Sequence, residues 1–355
     1  MTGLLQVGLP RSRPILVTGG AGFIGCNLAD RLAGEGHDVL VFDALARKGV
    51  EANLEWLRRR HPRRISVMVA DIRDAAAVRT AAQDAVAVFH LAAQVAVTTS
   101  LADPAEDFAV NLHGTFLLLD ALRRRGATVP LVFASTNKVY GDLADIALER
   151  DGDRYVPVDP DIRAGGVGEQ RKLDFHTPYG CSKGAADQYV LDFARSYAMP
   201  ATVLRMSCIY GERQLGTEDQ GWVAHFMIRA LRGEPVSVFG DGCQVRDVLH
   251  VGDAVAAYIA AWQRIGTARA QAYNLGGGPA NAVSLRQAIA AIEDITGRRV
   301  EVRSSGWREG DQRYYVSDTS RATRDLGLAA PLPWQAGLAR LAGWLRAEAG
   351  LEAVR

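Results

Sequence analysis

Three side chains in this sequence have the types and the order needed to move a proton on an alcohol. Tyr179 and Lys183 stand four positions apart in Tyr-Gly-Cys-Ser-Lys, which on a helix places a phenol and an ammonium on one face. A tyrosine ordinarily titrates near pH ~10. A cation held beside it favours the phenolate, which can take a proton from an alcohol while hydride leaves the same carbon. Thr136 ends the apolar run Leu131-Val132-Phe133-Ala134-Ser135 and is placed to hydrogen-bond that oxygen. A Tyr-x-x-x-Lys alone is equally the pattern of a surface helix pair. It gains meaning from what precedes it: a glycine-rich turn, then a strand ending in Ser135-Thr136.

That turn is Thr18-Gly19-Gly20-Ala21-Gly22-Phe23-Ile24-Gly25. Glycines at 19, 22 and 25 allow a tight turn, close approach of backbone to a pyrophosphate, and tight packing of the following helix, whose N-terminus faces the phosphates. Asp43 ends the next apolar run. An acid there suits the free 2′-hydroxyl of NAD and repels the 2′-phosphate of NADP. Arg47 and Lys48 lie close by and keep NADP as the alternative. Asp71-Ile72, after a third run, is a candidate adenine contact or a plain strand end.

The elements that must position these groups alternate. PILVTGG, DVLVFDA, ISVMVADI, AVAVFHLAA and PLVFASTN read as buried strands, and FIGCNLADRLAGEG and NLEWLRRR as helices. Short apolar runs separated by helical patterns predict an α/β fold, a Rossmann-type doubly wound parallel sheet. Residues 142–176 turn rich in Asp, Gly, Pro and Arg and read as a long substrate-side loop. SKGAADQYVLDFARSYA then reads as a helix and ATVLRMSCIYG as a strand. The expected organisation is a dinucleotide-binding domain over 13–205, joined through about 244–268 to a smaller C-terminal α/β substrate lobe formed by 206–243 and 269–350.

With 355 residues, 48% hydrophobic and 23% charged, the chain has the composition of a globular enzyme with room for two lobes. A net charge of +1 gives no footprint for nucleic acid. The N-terminal MTGLLQVGLPRSRP is too short and weakly apolar for an export signal, and no membrane span is expected, so the expected location is cytoplasmic. Cys26, Cys181, Cys208 and Cys243 are scattered, so neither disulfides nor a metal site is expected. Lys48, Lys138, Lys172 and Lys183 are the only lysines against 37 arginines. A lysine retained in such a chain marks a place where a compact, titratable ammonium is useful. Two of the four fall in the motifs discussed here.

TGGAGFIG, HLAAQ, STNKVYG, YGCSK, LRMSCIYG and DGCQVRDVLH, in this order, resemble the extended short-chain dehydrogenases/reductases that act on nucleotide sugars. STNKVYGD, LDFHTPYGCSKGAADQYV, the Asp219-Gln220-Gly221-Trp222 segment and GDQRYYVSD resemble more narrowly the C2 epimerases of CDP-linked hexoses, of which CDP-paratose is one substrate. The resemblance implies tightly held NAD, transient oxidation of the sugar at C2 and reduction from its other face. It implies Thr136, Tyr179 and Lys183 as catalytic residues. It adds Leu91, Ala92, Ala93 and Gln94 to the cofactor site, places Tyr179 and Lys183 against the cofactor as well, and gives Arg246 and Arg308 as ligands of the substrate diphosphate. Ser207, Arg213 and Gln214 flank Ile-Tyr-Gly and are candidates to reach the nucleotide. His176 is a candidate substrate contact or an ordinary loop histidine. Trp222 either stacks on a base or packs. Members of this group often pair through helices of the first domain, which implies a homo-oligomer, dimer or tetramer.

Related 4,6-dehydratases carry Asp-Glu where this chain has Asn137-Lys138. Asparagine is neither acid nor base, and a protonated lysine is a poor base. Elimination is thereby excluded, and hydride transfer out and back, an epimerisation, remains. Asn137 and Lys138 become candidate substrate contacts, Lys138 alternatively an anchor for a loop. The rivals are C4 epimerisation of a UDP-sugar, a dehydrogenase that releases its reduced cofactor, and a non-catalytic NAD-binding protein.

Overall fold

The computed structural model describes residues 6–7, 13–126, 128–308 and 310–347. Most of the N-terminal segment read above for an export signal, and 348–350 of the expected second lobe, lie outside the described residues. Seven parallel strands form the main sheet: β1 (Ile15–Thr18), β2 (Val39–Asp43), β3 (Ile65–Val69), β4 (Ala87–His90), β5 (Leu131–Thr136), β6 (Ala201–Met206) and β7 (Ala272–Leu275). Their order across the sheet is β3-β2-β1-β4-β5-β6-β7, with Gln6–Val7 added antiparallel beside β3. β1, β4, β5 and β7 are buried along their whole length because helices cover both faces. Helices Phe23–Gly34 and Val251–Gln263 pack on one face, and Ala75–Ala82, Gly114–Arg124 and Thr177–Ser196 on the other. The doubly wound α/β fold expected from the alternating runs is therefore present. Strand order reverses between β1 and β4, and in such sheets ligands sit beyond the C-terminal strand ends at that point.

A smaller lobe lies beside these strand ends. Cys208–Tyr210 runs parallel to Val245–His250, which pairs in turn with Ala282–Ser284 and Tyr314–Tyr315. Helices Trp222–Arg232, Leu285–Thr296 and Trp334–Ala347 close its own apolar core. Two details differ from the sequence reading. Ala272–Leu275, assigned above to the second lobe, extends the main sheet beside β6. Residues 142–176 hold a hairpin, Leu148–Asp151 with Arg154–Pro157, and a helix, Pro160–Gly165, rather than a bare loop. The hairpin strands, Leu-Glu-Arg-Asp and Arg-Tyr-Val-Pro, lack strong apolar alternation because one of them is almost wholly exposed. Among the described residues no helix is long and apolar enough to cross a membrane.

Candidate active site

A cavity of about 940 Å³ runs from the glycine turn, past the C-terminal ends of β4 and β5, to the second lobe. Its first end is shaped by backbone. Gly19 has φ +68°, and a Cβ there would lie 2.7 Å from the Ala92 nitrogen; one on Gly25 would lie 2.1 Å from the Gly19 carbonyl oxygen. Only glycine lets the turn, the β4 end and the helix meet this closely. The helix starting at Phe23 has Gly22 as its cap and no side chain on its first N–H groups, leaving donors for an anion. Asp43 accepts from the Ala21 and Leu45 N–H groups, both at 2.9 Å, so it braces the turn as well as facing the cavity. Burial pushes its carboxyl above the usual range, against the pull of these N–H bonds. Space, open donors and a strand-end acid together fit a dinucleotide.

The rest of this end matches expectation in part. Leu91, Ala92, Ala93 and Gln94 line the cavity with Gly22, Phe23 and Ile24. Asp71 is lined up with them but is gripped by Arg73, which donates from Nε at 2.9 Å and from its terminal nitrogen at 2.6 Å and lowers its titration. Ile72 is buried and packs under Gly114.

The reactive trio converges. Thr136 ends β5, and Tyr179 and Lys183 face it from the first turns of the helix Thr177–Ser196. Tyr179 and Thr136 are hydrogen-bonded, and burial pushes the phenol up to about 12. Lys183 Nζ donates to the Ala134 carbonyl at 2.7 Å and sits 4.4 Å from the centre of the Phe133 ring. Burial pulls its ammonium down to about 8, against the carboxylates of Asp187 and Asp107. The sequence reading has the lysine favouring the phenolate. Burial is the largest influence on the phenol, and the bond to Thr136 opposes it.

Beneath the trio lies a polar layer that sequence reasoning missed. Ser182 donates to buried Asp107, and Asn111 Nδ2 reaches Asp107 at 3.0 Å and the Gln94 carbonyl at 3.0 Å. Asn111 sits in a widened, π-type turn over Ala109–His113 that no periodicity announces. One turn beyond Lys183, Asp187 pairs with Arg205 and accepts from Ser135 at 2.8 Å, fixing helix to strand.

At the far end the second lobe supplies the partners. Lys138 Nζ donates to the Gly310 carbonyl at 3.0 Å, with Asp311 at 3.9 Å, and burial with the nearby Arg246 pulls the ammonium down to about 8. Arg246 donates to Asp311 at 2.6 Å. Arg308 lies 3.7 Å over the Phe239 ring and reaches the Glu218 carbonyl at 3.2 Å. Asn137 Nδ2 donates to Gln312 at 3.0 Å. Ser207 donates to Asp247 at 2.5 Å, and Gln214 keeps a buried Oε1 without a protein partner. Trp222 donates its indole N–H to Cys208 and packs edge-on to Phe226, so it serves as wall.

Two candidates stand apart from the cavity lining. Arg213 lies 4.0 Å over the Trp56 ring and also meets Trp344, and stacking on indoles holds it there. His176 is held outside by Asp174, at 3.1 Å, and Asp142. Gly310, Asp311 and Gln312 were within the quoted GDQRYYVSD motif but carried no assigned role. Gly310 and Gln312 reach partners more than 170 positions away, and Asp311 reaches Arg246 at 65; no local pattern reports such contacts.

Residues 15–276 match the family described as NAD dependent epimerase/dehydratase family. CDP-paratose 2-epimerase of Salmonella typhi is 39% identical over 337 residues, covering 93% of this chain and 98% of that protein. A crystal structure of UDP-glucose 4-epimerase from Thermotoga maritima with UDP-glucose is 31% identical with a TM-score of 0.80, covering 94% of this chain and 98% of that one. The UDP-glucose 4-epimerase of Thermus thermophilus, in complex with NAD, is 30% identical with a TM-score of 0.79, covering 94% and 99%. The chain belongs to the NAD dependent epimerase/dehydratase family. It is an extended short-chain dehydrogenase/reductase, an NAD-dependent nucleotide-sugar epimerase with NAD as its cofactor.

Proposed function

We propose that this member of the family inverts C2 of a CDP-linked hexose such as CDP-paratose, by oxidation and re-reduction at that carbon. The observation that carries the reading is the site itself: Thr136, Tyr179 and Lys183 meet at the ends of β5 and the helix Thr177–Ser196, and the adjacent pair, Asn137-Lys138, holds no carboxyl group. Bound NAD supplies an acceptor and then a donor for hydride. Tyr179 carries the proton of the sugar oxygen, Thr136 orients that oxygen, and Lys183 supplies positive charge beside them. The polar layer of Asp107, Asn111 and Ser182 holds these groups in place. The preference for C2 and for CDP over C4 and UDP rests on the 39% likeness to CDP-paratose 2-epimerase.

Incubation with CDP-, UDP-, GDP- and ADP-sugars in heavy water tests this. The expected product is inverted at C2 and carries no deuterium on carbon. Inversion at C4 of a UDP-sugar would move the reading to that rival. Deuterium on carbon would replace hydride return by enolisation.

A homo-oligomer is part of the same proposal. Phe108, Phe116, Tyr189 and Tyr197 are exposed on the helical face that carries the Thr177–Ser196 helix, an apolar patch suited to a second copy. Phe116→Glu should yield monomers in sedimentation; an unchanged mass distribution of an oligomeric wild type would put the contact elsewhere.

A further inference from the structure

Gln312 is fully buried and lies behind the cavity lining. Both ends of its amide are engaged. Its Nε2 donates to the Gly141 carbonyl at 2.6 Å, and its Oε1 accepts from Asn137 Nδ2 at 3.0 Å. A carbonyl oxygen only accepts, so the backbone dictates which way this amide faces. The carbonyl is itself held in place. Gly141 has φ +74°, and a Cβ there would lie 2.6 Å from the Asp174 carbonyl oxygen.

The polarity passes on. With Gln312 presenting oxygen, Asn137 turns its NH2 inward and leaves Oδ1 towards Thr136, whose hydroxyl lies 3.4 Å away. The Lys138 N–H donates to the same Thr136 oxygen at 3.2 Å. A hydroxyl has one proton and two lone pairs. The proton is directed at Asn137 and one lone pair is taken by Lys138. One lone pair remains.

We propose that Gln312 is a positioning residue for the epimerisation: it orients Asn137, and Asn137 fixes the Thr136 hydroxyl beside Tyr179, so that both oxygens meet the reacting sugar oxygen in one geometry through oxidation and re-reduction. The inference rests on the reading of Thr136 and Tyr179 as the reacting pair. Its consequence is that a residue remote from substrate controls turnover more than binding.

Gln312→Leu breaks the relay. On a nucleotide sugar that the wild type converts, kcat should fall ~10-fold while KM stays within ~2-fold, the signature of a lost transition-state interaction. Placed on Asn137→Ala, the same change should add less than ~2-fold, because both act through one path. Unchanged kcat, or losses that multiply, would overturn the proposal. Gln312→Glu gives a readout that needs no substrate. A protonated carboxyl donates to Gly141 and accepts from Asn137; a carboxylate cannot donate. The folded state therefore raises this group's pKa above the ~4.3 of an unfolded glutamate. The unfolded chain releases that proton first, so melting temperature relative to wild type should fall as pH rises from ~5 to ~8. A flat difference would refute the hydrogen-bond polarity. Failure of the wild type to convert any nucleotide sugar would instead count against the epimerase reading, with the melting comparison still deciding the relay.

Discussion

At the glycine-turn end of the cavity the chain meets itself over short stretches: Gly25 against Gly19, Asp43 against Ala21 and Leu45. At the Thr136 end it meets itself across half its length, as Lys138 reaches Gly310 and Asn137 reaches Gln312. The first end is made of backbone and tolerates few side chains. The second is made of side chains, with cations and acids interleaved: Lys138 and Arg246 converge on Asp311, and Arg308 lies beside Glu218 and Asp219. A cofactor common to a family can be held by backbone, which varies little with sequence. A substrate that differs between members is better met by side chains, which can be exchanged without disturbing the sheet.

If this division is sound, damage at one end should spare the other. Tyr179→Phe should lower turnover by at least ~10²-fold, the scale for losing general acid–base help, with NAD content unchanged. Loss of bound NAD in that variant would break the division, because the phenol would then be holding the cofactor.

Asp43→Ala is the converse test. It should relax the preference for NAD over NADP by roughly 10-fold, equivalent to ~1.4 kcal/mol. Residual turnover with saturating cofactor should stay near the wild-type rate. An unchanged preference would transfer that role to Arg47, Lys48 or the backbone.

The smallest effect concerns the two lysines, one at each side of Thr136. Burial pulls both Lys138 and Lys183 down to about 8. An unfolded lysine titrates near ~10.4, so above about pH 8 the unfolded chain binds more protons than the folded one. The two lysines therefore contribute stability that rises with pH from about 8 towards ~10, offset over the same range by Cys26, Cys208 and Cys243, whose thiols burial pushes up. Lys138→Met should reduce that slope in urea titrations. A slope equal to wild type would mean that Lys138 stays in contact with water and contributes nothing to it.

The same contrast explains what could be read without a structure. Gly19, Gly22, Gly25 and Asp43 were legible because their geometry admits few residue types and they fall close together in the chain. Tyr179, Lys183 and Thr136 were legible through order and spacing. Lys138 and Lys183, singled out among four lysines, are the two that burial perturbs to about 8. Gln312 and Asp311 were hidden because their significance lies in contacts made far along the chain, with Asn137 and with Arg246 and Lys138. Arg213 and His176 lie off the cavity lining. Proximity to a motif suggested the site, but indole rings and surface carboxylates capture these side chains instead. The hairpin in 142–176 escaped because charged, solvent-facing strands carry little periodicity.

The position of β7 has a consequence for how the chain is made. β6 ends at Met206, but the strand that covers its open side is Ala272–Leu275. At ~5–20 residues per second, roughly 4–14 s of synthesis separate the two. During that interval a strand destined for the sheet interior presents unpaired N–H and C=O groups to solvent or to another nascent chain. A ribosome stalled in this window holds a product with an adhesive edge.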